Sequence, residues 1–232
     1  ATHKDNWQTA LNKKCTELNF FSLNSFTQIK DGQAIVTSST DIYPIFCIDG
    51  DTLKKIYQPK NIDKSYRFRY TGTRPKNYIF NLKYVTKVYE DYLDKNDEEL
   101  DNLIICSGDR DSLNVHALGY NVIWLNSETA NLTFDTFLSL KKMAKNVYNL
   151  PDIDSTGKRQ AHQLAMFLLE VKTIQLPDKL LEYKDWRGNP CKDVRDYLNL
   201  YGKKEFDKLV NAALPYRFWD VIVNDKGLKY QV

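Results

Sequence analysis

The chain has 232 residues, 42% hydrophobic and 27% charged. That suits one large soluble domain or two small ones with a buried core, and it excludes a disordered chain. No apolar run approaches the roughly 20 residues of a membrane span, and no N-terminal stretch has the signal-peptide pattern, so a cytoplasmic protein with no membrane partner is expected. The chain opens on Ala1 rather than Met, which suits a piece trimmed from something longer.

Residues 1–100 read as a basic α+β subdomain. "AIVTSS" and "DIYPIFCIDGDTLKKIYQP" alternate like antiparallel strands, with Asp49-Gly50 as a hairpin turn. In "YRFRYTG" the residues Tyr66, Phe68 and Tyr70 share one face and Arg67 and Arg69 the other. The aromatics are expected in the core and the arginines on a nucleic-acid backbone. Between Lys54 and Lys87 stand ten Lys or Arg and one acid, Asp63. Lys54, Lys55, Lys60, Arg67, Arg69, Arg74, Lys76 and Lys83 are the candidate polyanion contacts. From Glu90 to Asp111 the balance reverses, with nine acids and two bases. Two oppositely charged solvated faces would read the same way. The charged stretch "YLDKNDEELDN", residues 92–102, is the expected domain boundary.

Residues 101–178 alternate strand and helix. "LIIC" is a short buried strand broken by "SGD", and "RDSLNVHAL" is a helix ended by Gly119. "NVIWL" is a second strand, "FDTFLSLKKMAK" a helix and "NVYNL" a third strand. "STGKRQAHQLAMFLLEV" carries Ala161, Leu164, Ala165 and Leu168 at helical spacing, and "TIQL" is a fourth strand. Strands separated by helices predict a mostly parallel four-stranded sheet with flanking helices, an α/β fold. Its site is expected at the carboxyl ends of the strands. Those ends bring Asp109 and Asp111, then Glu128, then Asp152 and Asp154 to one rim.

Two carboxylates about 4 Å apart repel by about 4 kcal/mol at an effective dielectric of about 20. A cation resolves the conflict, and hard, oxygen-liganded Mg²⁺ (or Mn²⁺) suits it best. Asp152, Asp154 and Asp111 are the candidate metal ligands. Capping of the next helix is the alternative for Asp154, and it leaves Asp152 unexplained. Lys158 and Arg159, at the start of that helix, are either phosphate contacts or solvated first-turn residues.

Residues 179–232 read as a helical hairpin. One stripe holds Val194, Tyr197, Leu198 and Tyr201, the other Phe206, Leu209, Val210 and Ala213, with Gly202 between them. Trp186 and Trp219 are expected to pack. Cys15, Cys47, Cys106 and Cys191 form no C-x-x-C pair, so no zinc site is expected. Cys47 and Cys106 suit reduced core thiols of an intracellular protein. His3, His116 and His162 show no ligand spacing.

Together "LIICSGDRDSL", "NVIWLNSETA" and "VYNLPDIDSTGKRQAHQLA" resemble a TOPRIM domain, with Gly108, Asp111, Asp152, Asp154 and Gly157 on the motif positions. The flanks "DIYPIFCIDGDTLKKIYQPKNIDKSYRFRYTG" and "KDVRDYLNLYGKKEFDKLVNAA" resemble the primase and primase-helicase branch, so the likeness runs over about residues 40–213. The resemblance implies a TOPRIM-like sheet, Mg-dependent nucleotidyl transfer, nucleotides and single-stranded DNA as partners, a replicative helicase as a candidate partner, and a phage or mobile-element setting. One departure stands out. The family carries a glutamate before the motif glycine, as general base or metal ligand, and here the residue is Ser107. Asp109, Asp111 or Glu128 would then supply the catalytic carboxylate. The family's zinc module is also missing from this sequence.

Three functions remain open: a DNA primase core, a degenerate TOPRIM-like module that binds nucleic acid or a replication partner, and a TOPRIM nuclease. Ser107 favours the second, and the primase-like flanks argue against the third.

Overall fold

The computed structural model describes residues 11, 13–50, 52–73, 75, 77–126, 132–185 and 187–215. It divides into two compact units, one of Asn12–Lys76 and one holding the chain from Asn77 onward.

The first unit is built on antiparallel strands. Strand β1 (Phe20–Ser22) is followed by β2 (Ser25–Lys30), β3 (Gln33–Ser38), β4 (Phe46–Asp49), β5 (Leu53–Tyr57) and β6 (Phe68–Gly72). Strands β1-β4-β5-β6 make one sheet in that order, and β2-β3 stand as a separate hairpin. Asp31 and Gly32 turn that hairpin, both with positive φ, as a two-residue type I′ turn requires. The expected turn at Asp49-Gly50 is also a hairpin, but Asp49 pairs with Lys54, so its loop is longer than the Asp-Gly dipeptide.

The second unit is α/β. It runs β7 (Ile79–Phe80), α1 (Leu82–Asn96), β8 (Leu100–Cys106), α2 (Asp109–Ala117), β9 (Asn121–Leu125), α3 (Phe134–Met143), β10 (Ala144–Leu150), α4 (Ser155–Phe167), β11 (Lys172–Thr173), α5 (Val194–Ala212) and β12 (Leu214–Pro215). The sheet has six strands in the order β12-β11-β10-β8-β9-β7. The four expected strands form its parallel centre. Two short antiparallel strands, β7 and β12, finish the edges, and this corrects the expected four.

Alternation along the strands sends side chains to both faces. Leu103, Ile105, Ile123 and Val147 share one core with Val85 of α1, with Phe137 and Leu140 of α3, and with Leu164 of α4. Ile104, Val122 and Trp124 face the other way and are buried too. There α2 meets β8 and β9, and α5 packs on α2. Tyr120 reinforces that contact, edge-on to Phe206 and donating to Asp207 at 2.8 Å. The expected boundary at 92–102 lies inside this unit. Leu100 is buried, and Val88, Tyr89 and Tyr92 pack on the core, while the stretch's acids face solvent.

On α5 Val194, Tyr197 and Leu198 of the first stripe and Phe206 and Val210 of the second are buried, while Tyr201 is exposed and Ala213 stands past the helix end. Gly202, at φ 77 and ψ −178, breaks the helix between the two stripes. Trp186 and Trp219 lie outside the described residues. The four cysteines are free thiols, three buried and Cys15 half-buried. No described helix is long and apolar enough to cross a membrane.

Candidate functional site

The order of the parallel strands sets the location. From β8 the chain moves to β9 on one side, then returns past β8 to β10 on the other. Connections leave the ends of β8 and β10 in opposite directions, which opens a crevice at those carboxyl ends. Ser107 and the Asp152–Asp154 segment sit there. The Ser107 hydroxyl donates to the Leu150 carbonyl at 2.9 Å and ties the two strand ends together.

Helix α2 starts on the far side of Gly108 and carries Asp109 and Asp111 in its first turn, each only 8% exposed. They serve different ends. Asp109 Oδ1 accepts the indole N–H of Trp124 at 2.6 Å. That bond ties one oxygen of the carboxylate to β9. Asp111 Oδ1 is buried and has no hydrogen-bond partner. Burial holds the Asp111 carboxyl well above the usual range, and the nearby charges of Asp193 and Asp152 push it the same way, partly offset by Arg110.

Asp152 and Asp154 follow β10. Asp154 caps α4, its Oδ1 accepting the Gly157 N–H at 2.8 Å, so the capping alternative holds for this residue. The other oxygen accepts the ammonium of Lys192, which also stands 3.5 Å from Asp152 Oδ2. Burial would raise the Asp154 carboxyl, but the Gly157 N–H and the Lys192 charge outweigh it and hold it below the usual range. Gly157 is glycine for lack of room, since a Cβ there would lie 2.2 Å from the Asp152 carbonyl oxygen.

The start of α5 adds residues that the strand-end reasoning missed. Asp193 caps the helix through the Asp196 N–H at 2.9 Å, and its Oδ2 lies 3.9 Å from Arg110. Its neighbour Lys192 is held by the main chain. Lys192 accepts from the Ile153 N–H at 3.0 Å and gives its own N–H to Asp196 at 2.9 Å. The signal was in "KDVRDYL", read for its likeness and not for its acid.

The carboxyl groups of Asp111, Asp152 and Asp193 thus converge from three separate segments. Among the described residues no group of three or more His, Cys, Asp or Glu stands in ligating geometry, and Lys192 fills the room beside Asp152 and Asp154. The orphaned oxygen of Asp111 and an all-carboxylate donor set still suit a hard cation. Glu128 lies outside the described residues. Lys158 pairs with Asp178 at 2.7 Å, and Arg159 is exposed. Beyond Ser107, on the α3 and α4 face, a cavity of about 560 Å³ opens between Ile105, Leu125, Phe134, Asp152 and Leu164.

The basic strands look different from their expectation. Tyr66, Phe68 and Tyr70 are exposed, while Arg67 and Arg69 are half-buried. Strand β6 is a sheet edge, and the rings on it and just before it cover cations. Phe68 stacks on Tyr57 at 4.9 Å, Lys55 lies 4.3 Å from the Phe68 ring, and Arg69 lies 4.2 Å from Tyr66. Lys55 is 6% exposed, so it is closed to an outside phosphate. Arg67 donates to the Asn61 carbonyl at 3.5 Å. Lys54 pairs with Asp49 and is exposed, as is Lys60. Lys83 is exposed on α1, in the other unit. Arg74 and Lys76 lie outside the described residues.

No protein-family model matches the chain, and no curated protein matches it. Solved structures do. The chain is similar to the Aquifex aeolicus primase with its zinc-binding and RNA polymerase domains, at 20% identity and TM-score 0.54, over 82% of this chain and 44% of that one. It is similar to the primase fragment of the bacteriophage T7 primase-helicase protein, at 15% identity and TM-score 0.51, over 86% of this chain and 69% of that one. It is also similar to the DnaG primase catalytic domain bound to single-stranded DNA, at 13% identity and TM-score 0.60, over 97% and 78%. The chain spans less than half of the Aquifex protein. At these identities the likeness shows the fold, which is the mixed α/β fold of primase catalytic cores.

Proposed function

We propose that this chain is a primase-type nucleotidyltransferase core of the TOPRIM class, which joins nucleotides into primers on single-stranded DNA. One observation carries the reading. The buried Asp111 carboxyl, with an oxygen left without a hydrogen bond, feels the charges of Asp152, after a strand of a primase-like sheet, and of Asp193, at the start of α5. Asp111, Asp152 and Asp193 would hold Mg²⁺ or Mn²⁺. The bound ion would neutralise charge on the transferring phosphoryl group and align the attacking 3′-hydroxyl.

The chain's own residues do the rest. Lys158 and Arg159, on the first turn of α4, add positive charge beside the helix N-terminus where a polyphosphate tail would lie. In the first unit, Lys54 and Lys60 would bind the template backbone, and the exposed aromatics of this edge would pack against bases. A helicase, as in the T7 primase-helicase protein, is the proposed replication partner. Ser107 takes no proton, because a serine hydroxyl is not a base at neutral pH, and its hydrogen is given to the Leu150 carbonyl. That engagement favours a second reading, a TOPRIM-like module that binds nucleic acid without chemistry.

The test is oligonucleotide synthesis from nucleotides on a single-stranded template, with Mg²⁺ or Mn²⁺, for the native chain and Asp152→Asn. Products from the native chain alone support the primase reading. Template binding without products supports the binding module. Loss of full-length template would mark a nuclease.

A further inference from the structure

We propose that Lys192 is a tethered counter-ion of the Asp152–Asp154 pair, which holds the pair together without metal and gives way when a divalent ion arrives. This rests on the metal site proposed above. The ammonium bonds to Asp154 and lies 3.5 Å from Asp152, so one cation serves both carboxylates. The contact does not depend on a wandering side chain. The Lys192 carbonyl accepts from Ile153, the residue between the two aspartates, at 3.0 Å. Its own N–H is fixed on Asp196 at 2.9 Å. Main chain and side chain together bind the start of α5 to the end of β10.

An ammonium is a compact point charge on a flexible four-carbon stem. It can neutralise two carboxylates, but it cannot use their lone pairs as a doubly charged ion does. A divalent ion held by these carboxylates would compete with the ammonium for them. Lys158 is the natural comparison. It is also a lysine near the start of α4, but it pairs with Asp178, away from the two aspartates.

Calorimetric titration with Mn²⁺ on the native chain, Lys192→Met, Lys192→Arg and Lys158→Met tests this. Lys192→Met is expected to bind about fivefold tighter, since the removed competitor is a partly exposed ion pair. Lys192→Arg and Lys158→Met are expected to bind like the native chain. Melting in chelator is the second readout. Lys192→Met should melt lower, and the difference should vanish in a background carrying both Asp152→Asn and Asp154→Asn. Lys192→Met binding no tighter than native, or Lys158→Met gaining as much, overturns the proposal while the metal site stands. If neither the native chain nor Lys192→Met binds Mn²⁺, the metal reading falls and takes the displacement with it, and the melting cycle alone then reports the ion pair.

Discussion

Asp111 sits where burial and its neighbours both oppose its charge. Its folded pKa lies above that of the unfolded chain, so the folded state keeps a proton that the unfolded state releases. The stability linked to that proton is whole below the ordinary carboxylate range and is lost as pH rises through the raised value. In chelator, the gap in melting temperature between native and Asp111→Asn should therefore shift in favour of Asn as pH rises from about 4. A gap that does not change with pH would show that Asp111 ionises freely. Metal binding needs the same proton removed, so Mn²⁺ affinity should rise over that window. Gly157→Ala should lower stability by about 1–3 kcal/mol and weaken Mn²⁺ binding, because its Cβ forces the Asp152 carbonyl away. Thermal melting and calorimetry check both effects. Asp111, Asp152 and Asp154 were legible because they follow strands, and strand ends can be read from apolar runs. Lys192 and Asp193 were not, because Lys192 is 38 residues from Asp154 and only tertiary structure closes that distance.

Helices and strands followed the apolar periodicity except where tertiary contacts override local preference. The helix expected to reach Lys145 stops at Met143, and Ala144 begins β10 opposite Leu100. Alanine prefers helix, but this one is fully buried in the sheet. The fourth strand shrinks to Lys172–Thr173, its apolar neighbours Ile174 and Leu176 being buried outside the ladder. Strand β7 escaped the reading because two residues carry no period, yet Phe80 stacks on Trp124 at 5.4 Å and is 1% exposed. Phe80→Ala should cost about 3–5 kcal/mol in denaturant melts. It should also loosen Asp109, whose carboxylate is held by that indole. At the α4 N-terminus, Asp154→Ala should cost about 1 kcal/mol for the lost cap. A variant as stable as the native chain would rule the cap out as a contributor.

For the whole molecule, the α/β plan was readable because parallel strands buried on both faces leave unbroken apolar runs. The boundary was not, because it was sought in a charged stretch. Those charges lie on the solvent side of α1 and β8, and the division falls near Lys76. The candidate polyanion contacts lie mostly in the first unit, and the proposed single-stranded DNA binding should weaken steeply with salt. Lys54→Ala with Lys60→Ala should reduce the log–log salt slope by about 0.7 per lysine removed, measured by fluorescence anisotropy. An unchanged slope would place the phosphates elsewhere. The six-stranded sheet and the β2-β3 hairpin also differ in how they end. The six-stranded sheet closes with antiparallel strands of two residues each, too short to template another chain. The hairpin of β2 and β3 has six-residue strands and leaves Ile29, Ile35 and Val36 exposed. Clumping of concentrated protein should therefore begin at that hairpin, and a lysine introduced at Val36 should prolong its life in solution.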